Sequence, residues 1–204
     1  MLAPVLRAAE TDIPADAAHR VSADDPAWRE LAGGLRAQAA VTATFTENRW
    51  FPFRKVPTVL KGEVRVSAGH GLSLHYRDPQ EQTVIIDDQG MLVRGPKGDN
   101  APPAGAEAAA ANSALLHVLR FDLRGLAETF DLYGTRTDTA WRLALVPKDD
   151  ALRRTLGRIA IEGAGPAVRR IELRRSAVQR VEILIDPPQT SAVFSPEDLK
   201  RFFR

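Results

Sequence analysis

The chain has 204 residues, 44% of them hydrophobic, enough for one domain with a substantial core and too many for an intrinsically disordered protein. Lysine plus arginine number 28 against 26 aspartate plus glutamate, and no basic helix or aromatic-basic motif accompanies that excess, so nucleic acid is excluded as a partner. The absence of cysteine removes disulfides, thiolate catalysis and cysteine-held zinc together, and no apolar run of about 18 residues exists to span a membrane as a helix.

Residues 1–25 are rich in Ala, Asp and Pro, show no period, and read as a loosely ordered arm; residues 26–204 read as a single domain. The opening Met1-Leu2-Ala3-Pro4-Val5-Leu6-Arg7 is too short and interrupted for a signal-peptide core. Asp25 before Pro26 is a helix start. Trp28, Leu31, Leu35 and Ala39 follow at helical spacing, which predicts a helix near 27–39, weakened by Gly33-Gly34.

From 41 to 95 the period falls to two, the mark of strands with one buried and one wet face. Parity puts Phe45, Val64, Val66, Leu72, Leu74 and Tyr76 on one face and Thr44, Arg65, Ser73 and His75 on the other. Turn signals stand at Gly69–Gly71, Asp78-Pro79 and Asp87–Gly90. The cluster Trp50-Phe51-Pro52-Phe53-Arg54 reads either as a plug on the end of the core or as a lip that touches an apolar ligand.

Gly95 to Gly105 has loop composition. A helical pattern follows, with Leu115, Leu116, Val118 and Leu119, then Leu123, Leu126 and Phe130. It predicts helices near 112–128, broken at Gly125, serving as ordinary core or as a lid. Period two resumes from 130 to 186, in Trp141–Leu145, Ile159–Glu162, Ile171–Arg174 and Val181–Ile183. Pro187-Pro188 ends it. Ser195-Pro196-Glu197-Asp198 starts a last helix with Leu199, Phe202 and Phe203 as its apolar side. Strands this close in sequence predict an antiparallel sheet.

No catalytic signature interrupts this pattern. His19, His70, His75 and His117 include no His-x-x-x-His pair. His75 belongs to the polar, solvated side of its strand and His117 to a helix face. Asp87-Asp88 and Asp149-Asp150 read as turn residues, not as an opposed acid pair. Arg169-Arg170, Arg174-Arg175 and Arg180 read either as a charged, solvated outer strand face that resists edge pairing or as a site for an anionic partner. There is no Gly-x-Ser-x-Gly elbow, P-loop or Gly-x-Gly-x-x-Gly. The expectation is no enzyme, no cofactor and no metal.

The order of the parts carries a resemblance. A helix leads to Phe45-Thr46-Glu47, then Gly62-Glu63-Val64-Arg65-Val66 and Leu72-Ser73-Leu74-His75-Tyr76-Arg77-Asp78-Pro79. Next come Val84-Ile85-Ile86-Asp87-Asp88-Gln89-Gly90, Ser113-Ala114-Leu115-Leu116, Trp141–Pro147 and Ile159–Gly163. Over residues 28–186 this resembles the LolA-like family, the periplasmic carriers of outer-membrane lipoproteins and their relatives.

The resemblance implies a mostly-β fold: a strongly curved antiparallel sheet of about eleven strands, an unclosed barrel with helices plugging its concave face. It implies a non-enzymatic, monomeric periplasmic protein whose export signal has been removed. Its cargo is an acylated lipid or lipoprotein, passed between membrane-bound donor and acceptor proteins. The expected cavity and lid residues are Phe45, Val64, Val66, Leu72, Leu74, Tyr76, Leu115, Leu116, Leu119, Leu143 and Leu145, with Trp50, Phe51 and Phe53 as a lip. The lid is expected to be held mainly by apolar contacts. The lipoprotein carriers have a gating Arg-Pro pair where this chain has Ala68-Gly69, which marks a divergent member. The alternative is a protein-interaction or sensor module of the bacterial envelope on the same fold. An apolar cavity of several hundred cubic ångströms favours the carrier; a filled core with an exposed apolar patch favours the module.

Overall fold

The computed structural model describes residues 13–38, 40–101, 106–190 and 192–204. Asp25 caps helix α1 (Pro26–Arg36), its carboxylate accepting from the Ala27 and Trp28 N–H groups. Ala39 lies outside the described residues. Six strands follow: β1 (Ala40–Trp50), β2 (Thr58–Ser67), β3 (Gly71–Asp78), β4 (Gln82–Asp87), β5 (Gly90–Gly95) and β6 (Gly98–Asn100). Helices α2 (Ala106–Leu119) and α3 (Leu123–Thr129) separate them from β7 (Phe130–Arg136) and β8 (Trp141–Pro147). Then come α4 (Asp150–Leu156), β9 (Arg158–Ala164), β10 (Ala167–Arg174), β11 (Arg180–Ile185) and α5 (Pro196–Phe202).

All eleven strands form one antiparallel sheet in the order β6-β5-β4-β3-β2-β1-β11-β10-β9-β8-β7. The two meanders join where β1 pairs β11, from Phe45 opposite Ile185 to Trp50 opposite Arg180. The outer strands β6 and β7 do not pair, so the barrel stays open. Helix α2 fills the gap, touching β4 and β5 on one side and α3 and α4 on the other. The expected fold class holds.

Four local expectations are corrected. Asp149-Asp150 is not a hairpin turn. Asp149 caps α4, accepting from Ala151 and Leu152, and the helix buries Leu152 and Leu156, four residues apart. Gly98–Asn100, inside the expected loop, is a strand, because Gly98 at φ +102° turns the chain tightly back onto β5. The break between α2 and α3 falls at Phe121, whose φ is 48°, and not at Gly125. Gly125 lies within α3 against the His117 ring.

The fourth correction concerns the outer face of the sheet. The parity is right, since Val64 faces Leu74 and Arg65 faces Ser73. The solvation is not. Ser73 and His75 are buried because α5 lies across them, with Phe202 and Phe203 buried beneath it. The Phe202 ring meets His75 at 5.2 Å, and the Arg65 guanidinium stacks on it at 3.7 Å. A capping box at Ser195 and Asp198 starts α5. The Arg94 guanidinium ends it, donating to the carbonyls of Lys200, Arg201 and Phe203. At the other edge Ile13 packs on Tyr133 and Ala144, and Val21 N–H donates to the Leu132 carbonyl at 2.8 Å.

Burial, reinforced by the nearby Arg65, holds His75 below its ordinary value of 6.5. Arg77, Glu81, Arg201 and the Thr83 hydroxyl complete its surroundings. The unfolded chain therefore binds a proton there that the folded chain refuses. This contribution to stability is complete above about pH 6.5 and is lost as the pH falls through that value toward the lower folded-state value. Urea denaturation from pH 7.5 to 5 is expected to show a fall in midpoint that a His75→Asn variant shows less steeply. Equal slopes would mean that His75 is not the group responsible.

Candidate functional site

The inner face of the sheet and the helices enclose two apolar clusters. One gathers Trp28, Leu31, Val118, Phe121, Leu126, Phe130, Leu143, Leu145, Ile159 and Ile161. The other gathers Ala43, Phe45, Val64, Leu72, Tyr76 and Ile86, with Leu115 and Leu116 of α2 packed on it. Between them lies a cavity of about 120 Å³. Val41, Ala43, Val64, Val66 and Leu72 form one wall, and Ile161, Val168, Ile171 and Ile185 the other. Leu35, Gln38, Val118 and Phe121 bring in the ends of α1 and α2, and Pro166 and Pro188 stand at its margin. Gln38 is the one side chain in this lining that carries a hydrogen-bonding group.

Of the residues expected from the sequence, Val64, Val66 and Leu72 line this cavity. Phe45, Leu74, Tyr76, Leu115 and Leu116 belong to the neighbouring cluster, and Leu143 and Leu145 to the other. The Leu119 side chain lies outside the described residues. Trp50, Phe51 and Phe53 sit at the far end of β1 and beyond it; Trp50 is seven residues past Ala43, about 23 Å along the strand. The walls from β9, β10 and β11 were legible in the inward parity of Ile161, Ile171 and Ile185. Gln38 and Pro166 gave no such signal.

Polar ties border the mouth. The Gln38 side-chain amide donates to the Pro166 carbonyl at 2.5 Å, joining the end of α1 to the β9–β10 turn. Arg36 donates to the Phe121 carbonyl at 3.4 Å, and Arg120 pairs with Asp88 at 2.6 Å, fixing the end of α2. The end of α2 and the turn after it thus carry polar contacts besides their apolar packing.

The concave face changes character past Phe45. There the buried Glu47 carboxylate accepts from the Tyr76 hydroxyl at 2.6 Å and from Arg49. Burial, then the negative charge of Glu47, pushes the Tyr76 phenol well above its usual value, so it stays a donor. Phe45 stands edge-on to Tyr76 at 5.2 Å, between this polar group and the cavity side of β1. One satisfied carboxylate is not an acid–base pair. Among the described residues no cluster of His, Asp and Glu is arranged to hold a metal ion, and no helix is long and apolar enough to cross a membrane.

No curated protein matches the sequence. Among solved structures, the fold is similar to a LolA superfamily protein from Nitrosomonas europaea at 8% identity, covering 84% of this chain and 96% of that one, with a TM-score of 0.44. It is also similar to a putative outer membrane lipoprotein-sorting protein domain from Vibrio parahaemolyticus: 9% identity, 84% and 95% coverage, TM-score 0.41. A DUF1329 family protein from Desulfovibrio piger gives 10% identity, 83% and 94% coverage, and a TM-score of 0.46. The model of the family described as outer membrane lipoprotein carrier protein LolA-like matches residues 19–200, almost the whole described fold, and the chain belongs to that family.

Proposed function

We propose that the protein is a non-enzymatic carrier of the bacterial periplasm that shelters the acyl part of a lipid or lipoprotein and passes it between membrane-bound partners. The observation that carries this reading is the apolar cavity between the two core clusters, roofed by the ends of α1 and α2. Its volume is well short of the several hundred cubic ångströms expected. At about 120 Å³ it is smaller than the roughly 150 Å³ cavity that holds one benzene molecule. The loaded state is therefore an opened one, in which the mouth parts and the two clusters separate.

The energies allow that opening. Each methylene taken from water contributes about 0.8 kcal/mol, so eight contribute about 6 kcal/mol. Releasing the Gln38 and Arg36 hydrogen bonds costs about 1 kcal/mol each. The remainder goes toward separating apolar surfaces that the acyl chain then covers.

Ala43 is buried at the cavity wall, and an aromatic ring there occupies the space a chain would take. The Ala43→Phe variant is expected to fold, keep its far-ultraviolet dichroism, and bind a fluorescent fatty acid at least about tenfold more weakly. Binding equal to the parent's would remove the cavity from the account and favour the interaction-module reading.

A further inference from the structure

The rim opposite the cavity mouth carries exposed apolar side chains that line no part of the cavity. Phe53 is 82% exposed, Val56 67% and Val178 56%. Phe53 stacks on Phe51 with ring centroids 5.5 Å apart. Two neighbouring connections bear these residues. Trp50 is paired with Arg180 across β1 and β11, so the β1–β2 connection and the β10–β11 turn project side by side from the same rim. The Arg180 guanidinium lies over the Trp50 ring at 4.2 Å. This is an apolar tip above an aromatic–cation step.

The charge there is one-sided. Residues 49–61 contain Arg49, Arg54, Lys55 and Lys61 and no acidic residue, and residues 173–181 contain Arg174, Arg175 and Arg180 and no acidic residue. Glu47 and Glu172 engage Arg49 and Arg174. Arg54, Lys55 and Arg175 stand beside the exposed Phe53, Val56 and Val178. The nearest acids of this rim lie in the flanking connections: Asp78 and Glu81 between β3 and β4, and Asp149 and Asp150 between β8 and β9, where Asp149 caps α4 and Asp150 pairs with Arg153. In a chain of nearly balanced charge, so cationic a tip is local. Exposed aromatic and branched apolar side chains ringed by lysine and arginine are what partition into the headgroup region of a bilayer.

We propose that the 50–57 connection and the 175–179 turn form a membrane-docking lip for an anionic bilayer surface. Phe53, Val56 and Val178 enter the interface, and Arg54, Lys55 and Arg175 meet lipid phosphates. The lip lies at the far end of β1 from the cavity, so a docked molecule keeps its mouth turned away from that bilayer. This inference does not rest on the carrier reading.

The test uses the whole chain with vesicles of phosphatidylcholine alone or with one third phosphatidylglycerol. Trp28 and Trp141 are buried, so a fluorescence change on docking reports Trp50. Co-sedimentation with the anionic vesicles and a blue shift of emission are expected, both weakened by added salt and absent with phosphatidylcholine alone. Phe53→Asp with Val56→Asp, at exposed positions that leave the fold intact, is expected to weaken binding at least about tenfold. Arg54→Gln with Lys55→Gln is expected to weaken it about thirtyfold. Ala43→Phe, with its cavity filled, is expected to bind vesicles as the parent does. Failure of the parent to bind anionic vesicles would overturn the proposal. So would undiminished binding by the Phe53/Val56 variant, or loss of binding by Ala43→Phe.

Discussion

Replacing Phe45 with alanine is expected to lower the stability of the fold by about 3–5 kcal/mol, among the largest effects of any single substitution in this chain. Phe45 is 2% exposed and sits on β1, which pairs β2 on one side and β11 on the other and so joins the two halves of the sheet. Its ring packs edge-on against Tyr76 and over Gly62, where a Cβ atom would come within 2.9 Å of it. Alanine removes the ring and leaves a void that this close packing cannot collapse to fill. It also removes the apolar group between the cavity side of β1 and the buried Glu47. In a domain of this size the change corresponds to a fall in melting temperature of roughly 6–20 °C. Phe45→Leu keeps most of the volume and is expected to cost less than half as much. Equal losses for the two variants in urea denaturation would show that the ring itself is not what holds the junction.

The second large effect is expected at Arg170. Its guanidinium reaches Glu162 at 3.0 Å, Glu172 at 2.6 Å and Glu182 at 2.7 Å, and Glu182 also accepts from Asn48 at 3.3 Å. The network therefore ties β9, β10, β11 and β1 across the outer face. Removing the cation leaves three carboxylates close together, one of them 3% exposed, with Arg174 still on Glu172 at 2.6 Å and Arg142 on Glu162 at 3.6 Å. Breaking a buried charge pair costs about 3–5 kcal/mol, and the partial exposure of Arg170 places Arg170→Met toward the lower end. Much of that loss is repulsion between like charges. Raising salt to about 1 M, where the screening length is near 3 Å, is expected to recover part of it. A deficit indifferent to salt would mean that lost packing by the arginine stem, not charge, is the cause.

How much of this was legible in the sequence follows from what period two encodes. Parity reports which side chains share a face, and it put Val64, Val66 and Leu72 of the cavity lining on one face with Phe45, Leu74 and Tyr76, which pack beside it. It does not report what covers the other face. His75 and Ser73 read as solvated because nothing in their strand reveals α5, more than a hundred residues away in sequence, lying across them. Asp149-Asp150 satisfies turn and helix-cap chemistry equally. Only the Leu152–Leu156 spacing distinguishes the two, and that spacing is short. The cavity mouth was the least legible part. Gln38 and Pro166 are ordinary residues until the sheet curls and brings the end of α1 onto the β9–β10 turn.

That mouth gives the most direct test of the central claim. A Cβ atom placed at Gly34 lies 3.5 Å from the Pro166 Cβ, within the range a disulfide spans, and the chain has no other cysteine to compete. The measurement is uptake of a fluorescent fatty acid by the Gly34→Cys, Pro166→Cys double variant, oxidised and then reduced. The carrier account predicts that the oxidised protein, its mouth stapled, takes up little or no probe, and that reductant restores uptake to the parental level. Equal uptake in both states would contradict the claim that the ligand enters by parting α1 from the β9–β10 turn.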